Sequence, residues 1–180
     1  MVYILLGTGF EEMEALTPCD LLRRAGAELS LVGIDGIEIT GSHGISVRAD
    51  LTLEEVSTEN LEMLVLPGGL RGVESILNSP AALKLIRLAW EAGKFVCAIC
   101  AAPTILAKLG ILQDTPATCY PGKEREMGDA KLVSRPVVRS GKLITGRAAG
   151  SGVEFSLALI EALKGEAEAR RIAKQIVYDC

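Results

Sequence analysis

The sequence predicts a doubly wound α/β fold, a mostly parallel sheet with helices on both faces. Three observations carry this. Short continuous apolar runs, most of them bounded by glycine or proline, alternate along the chain with segments of helical period. Hydrophobic residues make up 49% of the chain but aromatics only 4%, so the interior is built from Leu, Ile, Val and Ala, as in layered α/β proteins. No linker or low-complexity stretch interrupts the 180 residues, and 1–180 reads as one domain.

Val2 to Leu6 is an apolar run ended by Gly7, a central first strand, followed by the turn GTGFEE and a helical segment to Arg24. Pro18 is expected to divide that segment. Thr17 would cap the longer part, with Pro18 at its first position, Asp20 three residues after the cap and Gly26 closing it. Glu11 to Leu16 is then a separate short turn at the carboxyl end of the first strand. Of its acids Glu11, Glu12 and Glu14, two are expected to be solvated, since carboxylates suit a helix start. The GTG turn lacks the third glycine of a dinucleotide fingerprint, and Glu11 and Glu12 would repel a pyrophosphate.

Glu28 to Gly33 reads as a second strand, and IEIT and ISVR alternate around GSHG as a hairpin with His43 at its tip. A lone loop histidine is expected to be exposed rather than catalytic, with a place at a subunit contact left open. Thr52 and Glu55 match a capping box for a short helix. Met63 to Leu66 is another buried strand, ending in Pro67, Gly68 and Gly69, where two glycines let the backbone approach a ligand closely. Pro80 to Trp90 is an amphipathic helix. Beyond Leu109, ATCY reads as a short strand ending at Tyr120, PVVRSGKLITG as a hairpin with Ser140 and Gly141 in its turn, and Arg147 to Gly152 as a loop. Gly152 to Leu163 and Glu166 to Val177 give two closing helices.

The most informative stretch is KFVCAICAAPTILAKL, Lys94 to Leu109. Phe95 to Ile99 is a buried strand, Pro103 opens a helix, and Cys100 sits at the join, as in a nucleophile elbow. There the following amides and the helix dipole favour an anion, so Cys100 is expected to titrate below the roughly 8.5 of a free thiol. The amide after the PGG turn would face the same sulfur. Cys97 invites a redox CxxC reading, but three strand residues separate two Cα atoms by about 10 Å at about 3.3 Å each. A disulfide needs less than about 7 Å, so Cys97 reads as core.

Composition excludes several classes. Nineteen basic against 23 acidic residues, net −4, leave no basic stripe for nucleic acid. No apolar run approaches the roughly 18 residues of a membrane span, and the chain opens on a strand rather than a cleavable leader, so a cytoplasmic location is expected. Five cysteines (Cys19, Cys97, Cys100, Cys119, Cys180) without framework spacing suit reduced thiols. One CxxC and one distant histidine, His43, do not make a zinc site, and no metal is expected.

GFEEMEALTPCDLLRRAG, VLPGG, AICAAPTILA and GVEFSLALIEAL together resemble the DJ-one/ThiJ/PfpI superfamily, in the branch of the Parkinson's-disease protein deglycase and its bacterial relatives. The match runs nearly end to end. The resemblance implies a flavodoxin-like fold, a homodimer, Cys100 as nucleophile, Glu14 as the carboxylic acid beside it, and the Gly69 and Ala101 N–H groups as an anion-binding pair. Tyr120 stands where human-type members carry histidine and would line the pocket, as would Arg147. Ala101 follows Cys100 where peptidase-like members have histidine, and Ala148 and Ala149 replace a common Gly-Pro pair. The implied activity is that of a glyoxalase or deglycase needing no cofactor, acting on a small reactive carbonyl such as methylglyoxal or glyoxal. The alternatives are an oxidative-stress sensor or chaperone with Cys100 oxidised to sulfinate, and, last, a cysteine peptidase.

Overall fold

The computed structural model describes residues 1–179. Its strands are β1 Val2–Leu6, β2 Leu29–Gly33, β3 Glu38–Thr40, β4 Ser46–Arg48, β5 Leu51–Thr52, β6 Met63–Leu66, β7 Phe95–Ile99, β8 Pro116–Ala117, β9 Lys131–Leu132, β10 Val137–Ser140 and β11 Leu143–Gly146. Its helices are α1 Glu12–Arg24, α2 Leu70–Leu77, α3 Pro80–Glu91, α4 Pro103–Lys108, α5 Gly152–Lys164 and α6 Glu166–Gln175. The main sheet has seven strands in the order β10-β11-β7-β6-β1-β2-β5, parallel except where β10 pairs with β11. This is the mostly parallel α/β fold that the alternating runs predict.

The central strands are buried on both faces, and successive side chains divide between two cores. Tyr3 and Leu5 join Val96 and Ala98 beneath α2, α3 and α4. Val2, Ile4 and Leu6 join Cys97 and Ile99 beneath α1, α5 and α6. The strand order reverses at β1, which has β2 on one side and β6 on the other. Ligands of such sheets sit outside the carboxyl ends of the strands at that reversal. The turns that follow β1, β6 and β7 therefore meet at one edge.

Several sequence expectations change. Pro18 does not divide α1, and Thr17 is no cap: the helix runs unbroken from Glu12 with Pro18 buried inside it. A proline there removes the bond to the Glu14 carbonyl, but Ala15, Pro18, Cys19 and Leu22 form one buried stripe that holds the helix together. Leu70–Leu77 is helical, a segment the sequence reading left unassigned although Leu70, Val73, Ile76 and Leu77 recur at helical spacing. Thr118–Tyr120 forms no strand; only Pro116–Ala117 pairs, with β9. In the β10–β11 hairpin Ser140 still pairs with Leu143, so Gly141, with φ +62°, and Lys142 make the turn. The Thr52–Glu55 capping box forms over a single 3₁₀ turn. Cys19, Cys97, Cys100 and Cys119 are free thiols, and Cys180 lies outside the described residues.

Among the described residues no helix is long and apolar enough to cross a membrane.

Candidate active site

Cys100 follows the last residue of β7 and has φ +66°, the left-handed conformation that a non-glycine residue rarely takes. The strain is held by bonds on both sides: its N–H donates to the Gly146 carbonyl at 2.9 Å, and its carbonyl accepts from Tyr120 N–H at 2.7 Å. The elbow expected from the sequence is thus present, with α4 opening at Pro103. Cys97, inside β7, is fully buried.

Glu14 reaches the sulfur from the first turns of α1. Its side chain is 1% exposed, and Oε2 accepts from Gly68 N–H at 2.9 Å. The Ala149 amide, from the loop where alanines replace the Gly-Pro pair, adds a small pull that lowers the pKa of this carboxyl. Gly68 has to be glycine here: a Cβ would lie 2.5 Å from Glu14 Oε2 and 3.1 Å from Cys100 Sγ. Gly69 follows with φ +83°, and a Cβ on it would meet the Gly9 carbonyl oxygen at 2.4 Å. The two glycines of the PGG turn therefore serve different ends, one admitting the acid and the sulfur, the other turning the backbone into α2.

The electrostatics differ from the sequence expectation. Burial pushes the Glu14 carboxyl up from 4.5 to about 7, against hydrogen bonds from Cys100 and Gly68. Burial, then the charge and hydrogen bonding of Glu14, push the Cys100 thiol up to about 12, while the amides of Ala101 and Gly69 pull it down. The expectation of a thiol titrating below about 8.5 counted those amides and the helix start, but not the desolvation or the neighbouring carboxylate. Between those two values the carboxyl and the thiol hold one proton between them, and it belongs to the pair. Forming a thiolate means moving that proton onto Glu14.

A cavity of about 720 Å³ opens beside Cys100, lined by Cys100, Ala101, Gly69 and Tyr120 together with Glu11, Ser42 and His43. Cys100, Glu14, Gly69, Ala101 and Tyr120 are thus brought together. Arg147 is placed elsewhere, in a separate cavity of about 170 Å³ with Cys119 and Glu124.

Two of the three acids were expected to be solvated, but Glu12 and Glu14 are both buried and only Glu11 is half-exposed. Glu12 is clamped onto the hairpin tip. Its Oε1 accepts from His43 N–H at 2.7 Å, and its Oε2 lies 3.0 Å from His43 Nδ1 and 3.1 Å from Ser42 Oγ. Burial would raise its pKa, but these bonds outweigh it and hold Glu12 at about 2. The same contact, followed by the charge of Glu11, raises His43 above its ordinary value. Side-chain polar atoms of Glu11, Glu12 and His43 lie within 4.8 Å of one another because the Glu12 carboxylate is spent on His43 itself, so the cluster is a hydrogen-bonded clamp. Sequence reasoning missed His43 and Glu12 because more than thirty residues separate them; the only signal was one histidine in a glycine-flanked turn.

A strained cysteine at the carboxyl edge of a parallel sheet, paired with a buried carboxyl and faced by backbone amides, defines the class of α/β proteins built around an elbow cysteine. The DJ-1/PfpI family model matches residues 1–162, and the chain belongs to that family. It is 34% identical to protein dj-1beta of Drosophila melanogaster over 177 residues, 97% of this chain and 95% of the relative. It is 35% identical over 148 residues to a deglycase of Pyrococcus horikoshii, 81% of this chain and 89% of that one. The structure of Toxoplasma gondii DJ-1, described as oxidized, superposes with a TM-score of 0.95 at 32% identity, covering 99% of this chain and 98% of that one.

Proposed function

We propose that this protein is a cysteine-dependent glyoxalase or deglycase that needs no cofactor and converts methylglyoxal, glyoxal or their early adducts into 2-hydroxy acids. The observation that carries the reading is the Glu14–Cys100 pair, one proton held between a buried carboxyl and a thiol, beside the amides of Gly69 and Ala101. As the sulfur bonds to the aldehyde carbon, its proton passes to Glu14 and the two amides stabilise the new oxyanion, which takes that proton back from Glu14 to give a hemithioacetal and a free carboxylate. Glu14 next takes the hydrogen of that carbon as a proton and returns it to the neighbouring carbonyl carbon, while the hydroxyl proton of the first carbon passes to the neighbouring oxygen, leaving a 2-hydroxyacyl thioester. Water cleaves the thioester, releasing lactate from methylglyoxal or glycolate from glyoxal and restoring the thiol. A pKa near neutrality suits Glu14 to both directions of transfer. The deglycase among the relatives supports the same chemistry, and the family resemblance supports a homodimer.

The test is wild type against Cys100→Ser with methylglyoxal, in buffer free of other thiols, following lactate by a specific assay. Lactate formation that depends on Cys100 is expected; its absence overturns the reading.

One observation favours a second reading. Cys19, Cys97 and Cys119 are buried while Cys100 is half-exposed, and the Toxoplasma relative was solved in an oxidized form. In a redox sensor Cys100 would be carried to sulfinate and Glu14, protonated, would hydrogen-bond it. Turnover of purified protein separates the two readings.

A further inference from the structure

Most of the Cys100 cavity is larger than a three-carbon dicarbonyl requires: about 720 Å³ lies in the range that receives drug-sized ligands. Its lining includes the single imidazole of the chain, His43. We propose that His43 is a further catalytic residue of this pocket, the acid that protonates the leaving amine when the substrate is a carbinolamine adduct of a dicarbonyl; this rests on the function proposed above.

The geometry of the hairpin tip carries the argument. Glu12 Oε2 lies 3.0 Å from His43 Nδ1, and Glu12 Oε1 takes the backbone N–H of the same residue at 2.7 Å, so the carboxylate fixes both the ring and its loop. Ser42 Oγ, 3.0 Å from Nδ1, completes the clamp. A carboxylate at Nδ1 keeps a hydrogen on that nitrogen and leaves Nε2 to act on a ligand in the cavity that His43 shares with Cys100. Glu12 is 6% exposed and the imidazole 69%, so the arrangement is a buried anchor under an accessible acid. The charged groups around the ring are Glu11 at 3.6 Å and Glu12 from the start of α1, with Arg71 of α2 and Lys123 on the cavity wall. Lys123 is itself held by Glu126 at 2.7 Å. The two nearest are acids, and they keep the imidazole protonated above its ordinary range.

The step balances without a further reactant. In the adduct R–NH–CH(OH)–CO–CH₃ the nitrogen takes a proton from His43 Nε2, and the C–N bond breaks with its electron pair going to nitrogen. The carbinol O–H gives its proton to water as its electrons form the C=O bond. Free amine and methylglyoxal result, and the aldehyde is in the pocket of Cys100. His43 regains its proton from solvent.

The experiment uses the adduct of methylglyoxal with Nα-acetyl-lysine, diluted into Cys100→Ser protein so that the released aldehyde is not consumed, with amine release followed against buffer alone. We expect release faster than in buffer, and loss of about a hundredfold of that acceleration when His43→Gln is added, the scale of general acid catalysis. The acceleration should fall as pH rises through the titration of His43, and Glu12→Gln should move that fall to lower pH, which a merely structural role would not do. Release no faster than in buffer, or acceleration indifferent to His43→Gln, overturns the proposal. Failure of the parent reading shows separately, as wild-type protein that makes no lactate from free methylglyoxal.

Discussion

Glu14 Oε2 and Cys100 Sγ meet over the Cα of one glycine: a Cβ on Gly68 would stand 2.5 Å from the oxygen and 3.1 Å from the sulfur. The pair is close enough to share a proton because the residue beneath it has no side chain.

Gly68→Ala follows directly. Gly68 is not in the left-handed region, so the objection to a methyl group is steric: Glu14 Oε2 at 2.5 Å, Cys100 Cβ at 2.7 Å and Cys100 Sγ at 3.1 Å. Overpacking costs about 1–3 kcal/mol, which a folded chain survives, but it must part the acid from the sulfur. The expected outcome is a cooperative thermal melt at a lowered temperature with turnover of methylglyoxal reduced about a hundredfold or more. Retention of turnover within about twofold would show that the proton passes by another route.

Glu14→Gln should separate activity from stability. An amide cannot carry a proton, so turnover falls about a hundredfold or more. The carboxyl is raised from 4.5 to about 7 in the folded chain, so its contribution to stability is fully present below about 4.5 and is lost as pH rises through about 7. Above that pH the wild type bears a penalty of about 3 kcal/mol, at 1.36 kcal/mol per unit, that the glutamine variant escapes. Denaturant melts should therefore show Glu14→Gln more stable than wild type at pH 8, with the gap closing towards pH 4.

Alkylation of Cys100 reports the same proton from the other side. With one proton held by the pair above about 7, thiolate becomes accessible only as that range is entered, so the rate with iodoacetamide should rise through about pH 7. That limb should vanish in Glu14→Gln. Cys97, fully buried, should not react in the native protein. If Cys19 or Cys119 reacts faster than Cys100, accessibility at the elbow is not what the geometry implies.

The sheet and the elbow were legible in the sequence because they rest on local pattern. Four apolar runs of four or five residues, β1, β2, β6 and β7, fall where their periodicity puts them. The place of Cys100 at an elbow was legible because strand, turn and helix are contiguous from Lys94 to Leu109, whereas Glu14 beside it and the pairing of Gly69 with Ala101 came only with the family resemblance. What was not legible depends on contacts between distant segments. Pro18 reads locally as a helix start and is overruled by the stripe it buries in α1. Glu12 reads as a solvated acid and is buried because the β3–β4 hairpin, some thirty residues on, closes over it. Thr118–Tyr120 looks like a strand, but Thr118 N–H bonds to the side chain of Thr145 at 2.9 Å instead of entering a ladder. The proton balance of Cys100 was misread for the same reason: the Ala101 amide and the helix start are neighbours in sequence, whereas the carboxylate that opposes them is not.

The final prediction is that peptides are not cleaved. Ala101 and Tyr120 stand where related chains carry histidine, but the structure places His43 in the same pocket, so the lack of an acid is not the reason. The reason lies at the sulfur. A carbinolamine is already tetrahedral and comes apart once its nitrogen is protonated, whereas a planar amide must first be attacked by a thiolate. Here the thiol is pushed up to about 12, and the group at its side is Glu14, 1% exposed and busy with the shared proton, rather than an imidazolium that would leave the sulfur charged. An aldehyde tolerates this because it is far more electrophilic than an amide and expels nothing on addition. A fluorogenic peptide panel run beside methylglyoxal, with Cys100→Ser as the control for contaminating proteases, should show lactate formation and no peptide hydrolysis. Cleavage that disappears with Cys100 would mean that the resting sulfur is a thiolate held by His43, and would displace the dicarbonyl as the main substrate.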